Sequence, residues 1–239
     1  MVKDIALFFD VDDTLYNQQE PLEKAFYTVF PNLSNIDVNK LYIDRTKYSD
    51  EVFEKSCKGE ITMEEMYIYR AYKAFLEQGV KISDEDALKF QYEYSKNQFN
   101  IHISKVIEQI LNYCYDKNIF MGIITNGLYE HQNNKIKNLG LYKWFLKENI
   151  FISKKVGFAK PDKGIFDIAK KVVNTDNIYY IGDSFKNDVE GAKKAGWKSI
   201  WLNKRKYNFE SEFCPDFTVY NEEELFMLVK EIIKNASYK

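Results

Sequence analysis

At 239 residues, 45% of them hydrophobic and 29% charged, the chain has ordinary globular composition and the length of one large domain or a domain with a smaller insert. A formal net charge of −2 and a pI near 5.9 argue against a nucleic-acid polymer or an anionic membrane surface as partner. Cys57, Cys114 and Cys214 lie far apart without metal-ligand spacing and fit a reducing, cytoplasmic compartment, and no apolar run approaches the ~18 residues of a membrane span.

The N-terminal MVKDIALFF is too short and too soon acidic for a signal peptide. Residues 4 to 9 read as a short, fully buried strand. From residue 20 to about 97 the texture is helical. Leu22, Phe26 and Phe30 recur at helical spacing, and so do Leu41, Tyr48, Val52 and Phe53. Thr62 with Glu65 is a capping-box signature, Ser83 with Asp86 starts a further helix, and Gly79 is a stop between them. Most aromatic residues of this block, including Phe26, Phe53, Tyr69 and Phe75, are expected to form a small core of their own.

From about residue 104 helices and strands alternate. Helices are expected over 105–117, 129–139, 163–173, 187–195 and 222–235. Strands are expected over 119–125, 149–153, 177–183, 198–203 and 217–221. This alternation predicts an α/β fold, a doubly wound parallel sheet covered by helices on both faces. The isolated first strand returns to that sheet. Residues 1–16 and 98–239 are then the core, and 17–97 an inserted all-helical unit.

Four polar clusters fall where strands end. Asp10-Val11-Asp12-Asp13-Thr14 follows the first strand, and Thr125-Asn126-Gly127 the second. Lys160-Pro161 lies in the loop after 149–153, and Gly182-Asp183-Ser184 with Asp188 follows 177–181. Each alone is ordinary turn chemistry. Together they occupy the carboxyl edge, where open parallel sheets bind ligands. Carboxylates gathered this closely repel one another unless a cation lies among them. Oxygen donors without clustered His or Cys point to Mg²⁺. Mg²⁺, Lys160 and the Thr125 hydroxyl would together neutralise a phosphate dianion. Asp10 could then attack phosphorus to form an aspartyl phosphate. Asp12 could protonate the leaving oxygen and later deprotonate water, a role that predicts a raised pKa. His102 and His131 are too few for a His-based metal site, and both are expected to be solvated.

DVDDTL, TNG, the KP of FAKPD and GDSFKND, in this order, resemble the four motifs of the haloacid dehalogenase-like (HAD) hydrolase superfamily, and the helical block resembles its cap. The resemblance spans the whole chain. It implies Asp10 as nucleophile and Mg²⁺ ligand. It implies Asp12 as general acid/base, with its backbone carbonyl on the metal. Thr125, Asn126 and Gly127 fall in the phosphate-binding motif, and Lys160 stabilises the phosphorylated intermediate. Asp183 is a metal ligand and Asp188 its partner, acting through water or holding the lysine. Asp13 stands where glycine is usual and is expected to be a solvated turn carboxylate. Thr14 is expected to bond locally, and Ser184 and Asn187 to cap their loop. TNGLYEHQNNKIKNLGL is similar to the TNG-xxxx-Q-xx-K pattern of a phosphatase branch that includes pyrimidine 5′-nucleotidases and N-acylneuraminate-9-phosphatases. Gln132 and Lys135 themselves are expected on an exposed helix face.

The reading is a Mg²⁺-dependent phosphomonoester hydrolase of a small phosphorylated metabolite, a 5′-nucleotide or a sugar phosphate, working as monomer or homodimer. A 2-haloacid dehalogenase, a sugar-phosphate mutase and a phospho-acceptor signalling domain are the alternatives. The first typically lacks the second carboxylate that Asp12 supplies here. The last is about half this length and places its acids on different strands. Arg45 and Arg70 are the cations of the helical block best suited to an anionic or planar group. Tyr16 and Asn17 lie at the entry to that block.

Overall fold

The structure, a computed structural model, describes residues 4–236. Strand β1 (Ala6–Phe9) is followed by four helices: α1 (Gln19–Val29), α2 (Val38–Lys58), α3 (Met63–Leu76) and α4 (Asp84–Asn97). Next come α5 (Lys105–Asp116), β2 (Phe120–Thr125), α6 (Tyr129–Asn138), β3 (Ile150–Ile152), α7 (Ser153–Val156) and α8 (Lys163–Lys170). The chain ends with β4 (Ile178–Gly182), α9 (Gly191–Lys194), β5 (Lys198–Leu202), β6 (Phe217–Val219) and α10 (Glu222–Asn235). It divides into two compact units, Gln18–Ile101 and the remainder on either side of it.

The larger unit is a six-stranded parallel sheet in the order β3-β2-β1-β4-β5-β6. β1 lies at its centre and is buried at every position, as a strand covered on both faces must be. On one face Phe8, Phe166, Tyr180 and Trp197 pack with ring centroids 4.9–5.3 Å apart along Phe8–Trp197, Phe166–Trp197 and Phe166–Tyr180. Each such buried ring contributes roughly 1.5–3 kcal/mol. Phe8 also dictates its neighbour. A Cβ on Gly122 of β2 would come within 2.3 Å of the Phe8 ring, so only glycine fits there.

Local chemistry sets the helix ends. Ser104, Asp162 and Asn221 accept backbone N–H bonds at the starts of α5, α8 and α10. The helix expected over 187–195 is instead a π-helical turn, Phe185–Glu190, running into α9. The helix expected to reach Val173 stops at Lys170. There i→i+3 bonds from Lys171, Val172 and Val173 tighten the chain, and two consecutive valines are poor helix residues. The strands are each a residue or two shorter than the ranges expected for them; β6, for example, stops at Val219.

The smaller unit packs α1 to α4 around Leu22, Phe26, Leu41, Phe75 and Phe90. Thr62 and Glu65 form the reciprocal capping box at the start of α3, and Ser83 caps α4. Phe26 and Phe75 are in the core as expected. Phe53 and Tyr69 are only half-buried. Phe53 lies about 100° round α2 from the buried Val52, and Tyr69 turns its hydroxyl to Glu51 at 2.9 Å. Among the described residues no helix is long and apolar enough to cross a membrane.

Candidate active site at the carboxyl edge of the sheet

Parallel register brings the strand ends together. Phe9 of β1 is level with Ile123 of β2 and Ile181 of β4, so the residues that follow each strand emerge side by side. The Asp10 N–H donates to the Ile181 carbonyl at 2.9 Å, anchoring the first loop to β4. The third loop delivers Lys160, whose Nζ is buried between three oxygens. It lies 2.7 Å from Asp10 Oδ1, 2.6 Å from Asp188 Oδ1 and 2.8 Å from the Tyr180 hydroxyl. Tyr180 donates its own proton to the Ile124 carbonyl at 2.7 Å, so its oxygen is free to accept from Lys160.

The fourth loop is held equally firmly. Trp201 Nε1 donates to the Asp183 carbonyl at 2.8 Å, and Asp188 Oδ2 accepts from the Ser184 N–H at 2.9 Å. Ser184 Oγ accepts the Asn187 N–H at 3.2 Å, the capping role expected of that pair. Gly182 is required where it stands, because a Cβ there would fall 2.2 Å from Asp188 Oδ2. In the second loop, Asn126 bridges to the third. Its Nδ2 donates to the Lys160 carbonyl and its Oδ1 accepts from the Lys160 N–H, both at 2.9 Å. The amide expected to meet phosphate is therefore committed to positioning Lys160. Thr125 is buried at the end of β2, and the Gly127 N–H donates to Ser153 Oγ at 3.0 Å.

Asp10, Asp183 and Asp188 each place one carboxylate oxygen within 4.8 Å of the other two. Burial drives Asp10 up to about 7; Lys160 opposes this, while Asp188 and Asp12 add to it. Burial likewise raises Asp183 well above the usual carboxylate range. Asp13, Asp188 and Asp10 reinforce it, although Asp183 keeps some solvent contact. One lysine is too little positive charge for this cluster. Three convergent oxygens, two of them on carboxyl groups that burial raises, are a donor set that fits a hard divalent cation.

Asp12 is in a different environment. Its carboxylate receives Lys135 Nζ at 2.6 and 2.9 Å, Gln132 Nε2 at 2.8 Å and the Tyr16 hydroxyl at 2.5 Å. Burial works to raise its pKa, but Lys135, Gln132 and Tyr16 together hold it below the usual carboxylate range. The raised pKa expected of Asp12 is thus corrected; the carboxyl group raised on the first loop is Asp10. The exposed face expected for Gln132 and Lys135 is corrected too. They are 3% and 7% exposed, and their i, i+3 spacing on α6 presents both to one carboxylate.

Asp13 is not a solvated turn residue. It is buried in the left-handed region at φ 56°, and its Oδ2 accepts from Arg205 Nη1 at 2.8 Å. Thr14, expected to bond locally, has a buried Oγ1 with no hydrogen-bond partner. Tyr180 was not legible as a site residue, since an interior strand position otherwise reads as core. His102 and His131 are both exposed.

The fold is a Rossmann-like parallel sheet with an acidic, lysine-bearing carboxyl edge. The chain belongs to the haloacid dehalogenase-like hydrolase family, which it matches over residues 7–202. Over 115 residues, 47% of this chain and 50% of the relative, it is 35% identical to pyrimidine 5′-nucleotidase YjjG of Escherichia coli. It is 25% identical over 240 residues to the glyceraldehyde 3-phosphate phosphatase of Methanopyrus kandleri, covering 96% and 99% of the two chains. The HAD-hydrolase YfnB of Bacillus subtilis, solved bound to magnesium, shares the fold with a TM-score of 0.70 at 22% identity, over 95% of this chain and 99% of that one. L-2-haloacid dehalogenases share it as well, with TM-scores of 0.73 and 0.68 at 15% and 17% identity, over 95–96% of this chain and 99% of theirs.

Proposed function

We infer that the chain is a Mg²⁺-dependent phosphomonoester hydrolase acting on a small phosphorylated metabolite, in the cytoplasm. One observation carries the reading. Asp10 and Asp12, two residues apart, occupy opposite electrostatic environments. Asp10 belongs to the acidic cluster with Asp183 and Asp188, while Asp12 has a private cation in Lys135. Nucleophile and acid/base require separated environments; in the metal-free protein the separation runs with Asp10 raised and Asp12 lowered, and a cation on the Asp10 cluster with a phosphate dianion beside Asp12 would reverse it.

Asp10 is the nucleophile. Its oxygen forms a bond to phosphorus as the ester P–O bond breaks, and the leaving oxygen takes a proton from Asp12. An arriving phosphate dianion beside Asp12 offsets Lys135 and favours the protonated acid that this half needs. In the second half Asp12 accepts a proton from water as that water attacks phosphorus, the Asp10–phosphoryl bond breaks, and phosphate leaves. Lys160 and the Thr125 hydroxyl balance the phosphoryl charge. Asp10, Asp183, Asp188 and the Asp12 carbonyl would hold Mg²⁺, which when bound supplies Lewis-acid stabilisation of the phosphoryl oxygens. Residues 17–97 are read as the cap that selects substrate, a 5′-nucleotide or a sugar phosphate. The named activities of the nucleotidase and triose-phosphate phosphatase relatives support both classes.

The deciding assay compares p-nitrophenyl phosphate with 2-chloropropionate, each with and without EDTA. Metal-dependent release of inorganic phosphate is expected. Halide release insensitive to EDTA would establish a dehalogenase instead. An isomerised sugar phosphate would establish a mutase, and an aspartyl phosphate lasting minutes a signalling switch.

Lys135→Met tests the private cation. Without it Asp12 titrates at higher pH, and the limb of the rate profile that reports this group moves upward. kcat falls by up to about a hundredfold. The loss should be no larger for alkyl phosphates than for p-nitrophenyl phosphate, because a higher Asp12 pKa favours the protonated acid that an alkyl leaving group needs and costs the ionised base that activates water. A rate profile whose limbs do not move would remove Lys135 from the acid/base step.

A further inference from the structure

Two of the chain's three arginines are buried in the helical unit. Arg45 on α2 and Arg70 on α3 are 5% and 9% exposed. Both donate to a single oxygen, Gln91 Oε1 on α4, with Arg45 Nη2 at 2.8 Å and Arg70 Nη2 at 2.6 Å. Gln91 is oriented by its own Nε2, which donates to Ser95 Oγ at 2.9 Å. Arg70 Nη1 donates to Ser49 Oγ at 3.0 Å. The guanidinium carbons stand 4.5 Å from the Tyr94 ring centroid for Arg45 and 4.8 Å from that of Tyr67 for Arg70.

An anion is missing from this arrangement. Among the described residues, the groups that bear on the two guanidiniums are tyrosines, Gln91, Ser49 and each other, with no carboxylate in ion-pair reach. Arg70 Nε is fully buried and has no hydrogen-bond partner. Burial, and then the neighbouring Arg45, push Arg70 down to about 9, so it remains cationic at neutral pH. Aromatic faces and one amide oxygen offset part of the cost of two converging buried charges, but neither neutralises them. Purely structural tyrosine-stacked ties between helices would not need two like charges on one acceptor, nor an orphaned donor.

We propose that Arg45 and Arg70 form a receptor for a small oxyanion, a carboxylate or phosphate group, within the helical unit. The planar guanidinium fork suits such a group. The oxyanion takes the unpaired Nε–H of Arg70 and the remaining N–H groups of Arg45. This site goes beyond the phosphatase reading and does not depend on it.

Having three arginines makes the test direct. The arginine Nε–H spectrum of the full-length, metal-free protein holds three signals, and that of Arg205, paired with Asp13, serves as reference. Malonate and inorganic phosphate are titrated separately, with sodium chloride at matched ionic strength as control. The signals of Arg45 and Arg70 are expected to shift together and saturate with one or both oxyanions and not with chloride. A response to malonate alone assigns a carboxylate, and to phosphate alone a phosphate group. Arg70→Gln should weaken the response at Arg45 by at least about tenfold. Failure of both oxyanions to move the two signals, or an equal response to chloride, overturns the proposal. The malonate and phosphate titrations use the unsubstituted protein, so they stand even where the variant does not fold. The turnover assay on p-nitrophenyl phosphate judges the phosphatase reading separately.

Discussion

Asp10→Asn protein is expected to fold and to lose turnover by about four orders of magnitude or more. The amide preserves the shape of the carboxylate but not its nucleophilic oxygen. The surrounding geometry does not depend on that charge, because Lys160 keeps Asp188 and Tyr180 as partners and the loop keeps its bond to Ile181. Stability should respond in the opposite sense to activity. Without metal, folded Asp10 holds its proton up to about 7, whereas the unfolded chain releases it near 3.8. Between those values the native state binds more protons, so Asp10 makes the metal-free protein less stable as pH rises through the window, and the loss persists above it. The variant lacks that contribution. Urea unfolding of both metal-free proteins at about pH 5 and about pH 8 should show a smaller decline for Asp10→Asn. Folded variant with unchanged turnover would refute Asp10 as nucleophile.

The fold and the four strand-end clusters are legible in the sequence because both are local signals. A buried parallel strand is a short apolar run, and a functional loop is polar residues directly after it. What escaped depends on partnerships across the chain. Asp12 meets Gln132 and Lys135 about a hundred and twenty residues later, and Asp13 meets Arg205 still further on. On helical periodicity alone, Gln132 and Lys135 read as solvated. Their burial requires knowing that α6 begins beside the first loop's carboxylate. The direction of a pKa is similarly remote from spacing. Clustered acids imply that some carboxyl group is raised, but Lys135 decides that it is Asp10 and not Asp12. Tyr180 hides for a different reason. Its ring belongs to the aromatic core while its hydroxyl meets Lys160, so an apolar strand pattern conceals a polar contact. The helical unit shows the same limit, since the packing around Phe26 and Phe75 follows from periodicity while the convergence of Arg45 and Arg70 on Gln91 does not.

Chelation of divalent metal is expected to abolish turnover, and added Mg²⁺ to restore it, with an affinity that depends on pH in a stated direction. Asp10 and Asp183 must both be ionised to serve as ligands, and in the metal-free protein both are raised, Asp10 to about 7. Cation binding therefore displaces protons. Affinity should weaken as pH falls through about 7, by roughly tenfold per pH unit for each proton displaced. Calorimetric titration in two buffers of different ionisation enthalpy reads that proton release directly. Asp183→Asn removes one ligand and one of the raised carboxyl groups. It should weaken Mg²⁺ binding by about a hundredfold or more, lower the number of protons released, and leave turnover partly recoverable at high Mg²⁺. Asp12→Asn, by contrast, should slow both halves of the reaction and reduce proton release on metal binding less than Asp183→Asn does, because its own carboxylate is already ionised against Lys135 and it adds less to the raised Asp10 than burial and Asp188 do. If Mg²⁺ bound equally well at low and neutral pH, or if Asp183→Asn bound it as tightly as the parent, the cluster of Asp10, Asp183 and Asp188 would not be the metal centre. Asp10 would then have to act without a cation, as in displacement at carbon.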